Sequence, residues 1–233
     1  MIEHKGQVVD KLWVNEYTVL VRFGVESDFK FEAGQFIMIN VGGGVYRAYS
    51  ITSSPGDELL EVVIDTTPGG PGSQWAKRVK EGDEVVFRGP FGHFELRNSS
   101  ADRVEFRFFV ATGTGIAPIR SMLRSAKGDK KVRYKLVWGL RYKKDVYFDK
   151  EWQWLKLEWP SFDYVYCLSR EKREEDRYFF GRVTDYLKTY IDESRVLRSE
   201  FYVCGRMAMV DEVRRILEDK GVKAEQVVWE KYG

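Results

Sequence analysis

An arginine, a tyrosine and a serine stand within four residues at Arg47-Ala48-Tyr49-Ser50, at the end of a strand-like run. A guanidinium group offers a planar fork for phosphate oxygens. Tyr49, two residues on, points to the same side of a strand and offers a flat face. Ser50 adds a short hydrogen-bonding group. Together they suit an aromatic ligand that carries phosphate, although the tetrapeptide alone fits a surface arginine and a half-buried tyrosine better. Gly69-Gly70-Pro71-Gly72-Ser73 opens a helix, where free backbone N–H groups bind anions; Ser73 acting only as a helix cap fits equally well. Gly89-Pro90-Phe91-Gly92 reads as a tight turn after a strand. Thr112-Gly113-Thr114-Gly115-Ile116-Ala117-Pro118 lies between a strand and a helix, where a dinucleotide-binding sheet places its cofactor turn. It lacks the full G-x-G-x-x-G pattern, so a plain glycine-rich turn stays open. Arg141, Arg170 and Arg182 each follow a predicted strand or start a helix. Three guanidinium groups at one sheet edge would bind a doubly charged phosphomonoester, with solvated surface arginines as the plain alternative. Cys204-Gly205 ends another strand. No adjacent His or Lys activates the thiol, so it reads as a small buried group rather than a nucleophile.

The elements that must position these residues fall into two halves. Up to about residue 100, short apolar runs such as Gln7–Val9, Thr18–Phe23, Phe36–Asn40, Leu59–Ile64 and Glu84–Phe87 alternate with Gly- and Pro-bearing turns. That pattern predicts a small antiparallel barrel with one helix near Ser73–Lys80. Beyond Asn98-Ser99-Ser100, strands alternate with helices. Strands are expected near Phe106–Ala111, Tyr134–Trp138, Tyr164–Leu168, Phe201–Cys204 and Gln226–Trp229. Helices are expected near Ile116–Lys127, Lys150–Glu158, Val183–Tyr190 and Ala208–Lys220. Such alternation implies a parallel sheet with both faces covered and ligands beyond the carboxyl ends of its strands. The expected domains are 1–100 and 101–233.

The 233 residues carry a net charge of only +2, which gives no footprint for nucleic acid. No apolar run reaches the length of a secretion signal or a membrane span, so a cytoplasmic protein is expected. Cys167 and Cys204 lack neighbours at metal-ligand spacing, which argues against zinc and iron–sulfur sites. Most of the 15 Phe, 13 Tyr and 7 Trp are expected in the core.

The order and spacing of Arg47-Ala48-Tyr49-Ser50, Gly70-Pro71-Gly72-Ser73, Gly89-Pro90-Phe91-Gly92, Gly113-Thr114-Gly115-Ile116-Ala117-Pro118 and Cys204-Gly205 resemble the ferredoxin–NADP reductase superfamily. The likeness is greatest to its bacterial ferredoxin/flavodoxin members and covers essentially the whole chain. The resemblance implies an FAD-binding β-barrel followed by an NADP-binding α/β domain. It implies a monomeric enzyme that moves electrons between NADP(H) and a ferredoxin or flavodoxin, by hydride transfer at flavin N5. Arg47, Gly72 and Ser73 would hold the flavin pyrophosphate. Tyr49 would stack on the isoalloxazine, with Ser50 near N5, and Ala48, Val63 and Ile64 would complete the cofactor contacts. Thr114 would border both flavin and nicotinamide. Arg141, Arg170 and Arg182 would hold the adenosine phosphates, the last two at the 2′-phosphate. Cys204 and Gly205 would meet the nicotinamide, and Glu230 and Tyr232 would lie against the flavin. Gly233 follows Tyr232 where some relatives have a longer tail, and Met207 stands where many have proline. Lys130, Lys131, Lys143 and Lys144 are candidates for docking an acidic carrier, with a solvated charged face as the alternative. A free-flavin or ferric reductase, or an electron-transfer component of a larger complex, are the alternative functions.

Overall fold

The computed structural model describes residues 2–26, 29–97, 104–126, 131–172, 178–191 and 196–232. The expected boundary at 98–102, Lys130 and Gly233 lie outside them. By their contacts the residues form two units, Met1–Leu96 with Ala117–Ser125, and Arg97–Ile116 with Ala126–Gly233.

The first unit is built on six antiparallel strands: β1 (Glu3–Trp13), β2 (Thr18–Val25), β3 (Phe36–Asn40), β4 (Tyr46–Ser50), β5 (Leu60–Asp65) and β6 (Glu84–Phe91). Their order is β4-β3-β6-β1-β2-β5. Just past β4 the chain reaches the other end of this order. Ile51 bridges Val62, and the Thr52 N–H donates to the Glu61 carbonyl at 2.9 Å. The sheet thus curls into the expected barrel, and closure leaves little free edge. Val19, Val21, Phe23, Ile37, Ile39, Ile51, Val62 and Phe87 fill it. Helix α1 (Pro71–Arg78) follows β5, and the Lys11 ammonium donates to the Lys77 and Val79 carbonyls at its end, at 2.7 and 2.9 Å. A cation there complements the helix dipole.

Helix α2 (Ile116–Ser125) comes from the second half of the sequence, yet residues 117–125 pack with the barrel. A buried charge explains why. The Arg120 guanidinium donates to Glu61 Oε2 at 2.5 Å and to the Thr52 carbonyl at 2.9 Å. Glu61 also accepts from Arg22 Nε at 2.7 Å. Ser121 Oγ donates to the Ser53 carbonyl at 2.5 Å.

The second unit is an all-parallel sheet in the order β10-β9-β8-β7-β11-β12. Its strands are β7 (Phe106–Thr112), β8 (Arg133–Leu140), β9 (Phe162–Leu168), β10 (Phe179–Phe180), β11 (Ser199–Arg206) and β12 (Val227–Tyr232). Helices α3 (Asp149–Glu158), α4 (Val183–Tyr190) and α5 (Met207–Asp219) complete it. The central strands are buried almost without a break: Arg107–Ala111 in β7 and Ser199–Gly205 in β11. Continuous burial is what a parallel sheet covered on both faces requires. One face carries an aliphatic core of Val110, Val137, Val203, Leu187, Val213 and Leu217. Rings elsewhere in the unit form a chain of contacts, including Tyr134–Trp159 at 4.4 Å and Trp138–Tyr147 at 4.7 Å between centroids. Among the described residues, no helix is long and apolar enough to cross a membrane and no cluster of His, Cys, Asp or Glu could hold a metal.

Candidate functional site

In the barrel, β4 and the start of α1 come together. Arg47 and Tyr49 pair with Ile39 and Ile37 of β3 and share one face of the strand; Ala48 and Ser50 take the other. A Cβ added to Gly72 would lie 2.0 Å from Tyr49 Oη and 3.6 Å from Arg47 Cγ. Only glycine allows this approach, so the helix start, the arginine and the ring form one cradle. Gly70 is the N-cap of α1, no side chain caps the helix, and its first turn holds no acidic residue. Ser73 is therefore not the cap; it sits inside the first turn, and its Oγ donates to the Asp65 carbonyl at 3.4 Å. The first-turn N–H groups have no acceptor within the helix and suit an anion. Arg47 is exposed beside them, and its Nη1 donates to the Tyr46 carbonyl at 2.9 Å. Burial pushes the Tyr49 phenol up to about 12, against the pull of Arg47, so the ring is neutral at physiological pH. These residues fit a flat aromatic ligand with a pyrophosphate, as FAD is. Ser50 is buried, and Val63 and Ile64 lie buried in β5. Past the Ile51–Val62 bridge β5 pairs, among the described strands, with β2 alone, so a cofactor there would meet its backbone rather than these buried side chains.

In the second unit, the carboxyl ends of β7, β11 and β12 gather the other residues. Thr112 ends β7, and Gly113–Gly115 make a single 3-10 turn into α2, so Thr114 sits at the tip of the sheet. Gly115 packs on the backbone of β11, where an added Cβ would lie 2.3 Å from the Cys204 carbonyl oxygen. A Cβ on Gly205 would lie 2.3 Å from Thr112 Oγ1. Cys204 pairs with Glu230 and Arg206 with Tyr232 across β11 and β12, and Cys204 Sγ lies 4.0 Å from Glu230 Oε2. Burial raises the Cys204 thiol well above its ordinary value and the Glu230 charge adds to this, against a hydrogen bond with Tyr232. The thiol is therefore a neutral group that can orient a ligand but not attack it. Thr112 belongs to this cluster although no pattern in the letters singles out its side chain. Its buried Oγ1 has no hydrogen-bond partner among the described residues.

The three arginines all lie exposed at the carboxyl edge of the same sheet. Arg141 follows β8, and its carbonyl accepts the Arg170 N–H at 2.9 Å just beyond β9. Arg182 immediately precedes α4, where its N–H donates to Asp185 Oδ2 at 2.8 Å. Beside them lies a cavity of about 670 Å³ lined by Tyr142, Lys143, Lys144 and Glu171. Lys131 stands at the opposite end of β8, roughly 25 Å away at 3.3 Å per residue. The described lysines therefore do not form one docking patch.

Two family models match the chain: an oxidoreductase FAD-binding domain over residues 5–96 and an oxidoreductase NAD-binding domain over residues 109–215. Reductase component 2 of terephthalate 1,2-dioxygenase from a Comamonas species is 30% identical over 88% of this chain and 60% of its own length. A component of the Na(+)-translocating NADH-quinone reductase of Idiomarina loihiensis is 32% identical over 81% of this chain and 49% of its own. The chain thus spans about half to three-fifths of these relatives. A ferredoxin NADP+ reductase from Neisseria gonorrhoeae, solved with bound FAD and NADP, superposes with a TM-score of 0.83 at 20% identity, covering 98% of each chain.

Proposed function

This chain belongs to the ferredoxin–NADP reductase superfamily, and from that premise we propose that it passes electrons between NADP(H) and a ferredoxin or flavodoxin. Membership makes it a flavoprotein oxidoreductase that binds FAD and a nicotinamide nucleotide. Bound FAD supplies the exchange between a two-electron hydride carrier and a one-electron carrier. In this reading Arg47, Gly72, Ser73 and the start of α1 hold the pyrophosphate. The neutral ring of Tyr49 covers the flavin, with Ala48, Ser50, Val63 and Ile64 around it. Thr114, Cys204 and Gly205 receive the nicotinamide. Glu230 and Tyr232 border the same place, and the protonated thiol beside them orients without reacting. No side chain has to act as a strong acid or base.

The observation that carries the NADP half is the trio of exposed guanidinium groups, Arg141, Arg170 and Arg182, at one sheet edge. A hydrogen bond to a charged group contributes about 1.5–3 kcal/mol, so Arg170→Ala and Arg182→Ala should each raise the KM for NADPH roughly ten- to hundredfold. Reduction by NADH should not change. The check is anaerobic flavin bleaching by each nucleotide in turn. Equal or faster bleaching by NADH would remove the 2′-phosphate role. It would favour a second reading, an NADH-fed electron-transfer component of a larger assembly, which the names of the dioxygenase and quinone-reductase relatives suggest.

A further inference from the structure

The turn that carries Thr114 begins on a residue with little steric restraint of its own. Glycine flanks Thr114 on both sides, and Gly113 has φ +53°. Gly113 has no Cβ, so on its side the Gly113–Thr114 peptide is not held by side-chain sterics and needs hydrogen bonds to fix it. Yet the turn is held. The carbonyl of Gly113 accepts the Ile116 N–H that closes the 3-10 turn, and from outside the turn it also accepts the indole N–H of Trp138 at 3.0 Å and the hydroxyl of Tyr147 at 3.4 Å. Trp138 is fully buried on β8, and Tyr147 packs edge-on against it at 4.7 Å and 87°. Next to Trp138, Gly139 lets β8 approach the base of the turn, where a Cβ would lie 2.9 Å from Thr112 Cγ2.

A comparison inside the same unit shows that this bond is not a default of buried tryptophan. Trp152 and Trp159 are also buried, and their indole N–H groups have no acceptor among the described residues. Trp138 alone of these three spends its donor, and it spends it on the turn. The Gly113–Thr114 peptide is trans, so its C=O and N–H point in opposite directions. The Ile116 N–H fixes the Gly113 oxygen from within the turn and Trp138, with Tyr147, from the sheet, and together they aim the Thr114 N–H away from the sheet interior.

We propose that Trp138, braced by Tyr147, is a positioning residue that locks the Gly113–Thr114 peptide with its N–H presented to the nicotinamide nucleotide. The inference rests on the reading that Thr114 borders that nucleotide. The lock acts before binding. It removes a rotation that the nucleotide would otherwise have to freeze, and such preorganisation appears as affinity.

The test uses the FAD-loaded protein and three variants. Trp138→Phe removes the donor and keeps a ring. Tyr147→Phe removes the second hydroxyl. Tyr166→Phe removes a hydroxyl from a neighbouring ring, 5.9 Å from Trp138, that bonds Asp149 instead of the turn. Binding of the oxidised nucleotide, NADP+ or NAD+, is measured by calorimetry, and amide exchange is followed over 113–116. Trp138→Phe should weaken binding about three- to tenfold, the range for one lost hydrogen bond. It should also speed exchange in the turn and raise KM with little change in kcat. Tyr147→Phe should do the same to a smaller degree, and Tyr166→Phe should do neither. If wild type binds nucleotide and Trp138→Phe binds it as tightly, the lock is refuted and the reductase reading stands. Equal weakening by Tyr166→Phe would also refute it, since the effect would then be general loosening. A wild type that takes up neither nucleotide would overturn both readings.

Discussion

In the barrel, Arg47 and Ala48 are exposed, and Gly72 faces the tip of the Tyr49 side chain. In the parallel sheet, Cys204 and Gly205 are buried, and Gly115 faces the backbone of Cys204. The first arrangement is an open cradle whose walls can adjust to a large ligand. The second is packed backbone to backbone before any ligand arrives. Their buried charges are arranged alike. Glu61 is shared by Arg120 and Arg22, which reaches outward to Asp10 at 2.9 Å, with Arg124 at 3.9 Å. Glu200 accepts from Arg107 Nε and the Tyr202 hydroxyl, each at 3.0 Å, and Arg107 also donates to the Tyr134 hydroxyl at 3.3 Å and to the Arg97 carbonyl at 3.0 Å. Each unit thus carries a buried carboxylate in a network that reaches the surface, at Asp10 in the barrel and at Arg97 in the sheet, so it is the glycine contacts that separate the two sites.

The largest effect is expected at Glu61. Glu61→Gln removes the negative charge facing Arg120, whose side chain is 6% exposed. Breaking one side of a buried pair costs about 3–5 kcal/mol. Burial pushes the Glu61 carboxyl up, but Arg120 and Arg22 together outweigh this and hold it below its ordinary 4.5. The folded protein therefore keeps this carboxylate ionised in acid after the unfolded chain has taken up its proton. The stabilisation is full above about pH 4.5 and is lost as pH falls through the lower folded value. Urea unfolding should show the whole gap between wild type and Glu61→Gln at pH 7, and the gap should close in acid. A gap that does not depend on pH would mean that Glu61 acts by packing rather than charge.

A matched pair of glycine substitutions sharpens the contrast. Gly115→Ala drives its Cβ against backbone, 2.3 Å from the Cys204 oxygen and 2.9 Å from Gly205 Cα, and neither can swing aside. Overpacking of this kind costs about 1–3 kcal/mol. Gly72→Ala meets Tyr49 Oη at 2.0 Å, the far end of a side chain that can turn away. It should cost less stability, yet it should loosen FAD, because Tyr49 leaves its place. Thermal melts and the flavin retained on dialysis separate the two. If Gly72→Ala is as destabilising as Gly115→Ala, the barrel cradle is as rigid as the sheet edge.

Legibility in the sequence followed the same divide. Phe36–Asn40 was readable because it is a short continuous apolar run that ends before a glycine turn, and Val183–Tyr190 because Val183, Tyr186, Leu187 and Tyr190 repeat near 3.6. The strand read at Gln7–Val9 runs from Glu3 to Trp13, because its outer residues are polar or exposed and break the apolar signal. Phe179–Phe180 is too short to show a period. Arg47, Gly72, Thr114 and Cys204-Gly205 were singled out as candidates because arginine and glycine-rich turns carry chemical meaning at strand ends. Their neighbours were not. Trp138 reaches a carbonyl 25 residues away, and a donor to main chain leaves no pattern in the letters. Nor did chain order show that residues 117–125 would pack with the barrel, since that depends on Glu61 meeting Arg120.

The smallest effect is expected from the thiols, and it tests whether the sheet edge is as closed as its packing says. Cys167 and Cys204 are both free and buried, and burial raises both thiols. At pH 8 neither should be alkylated by iodoacetamide in the folded protein, and both should react in urea, because the thiolate is the nucleophile. The two differ in place: Cys167 belongs to the aliphatic core, while Cys204 ends its strand beside Glu230. If Cys204 alone reacts slowly in the folded state and nucleotide suppresses that reaction, the sheet edge opens and closes, and the contrast with the barrel is one of timescale. If both stay inert with and without nucleotide, the edge is closed as described. The pH dependence of turnover between 6 and 9 should then show no thiol titration.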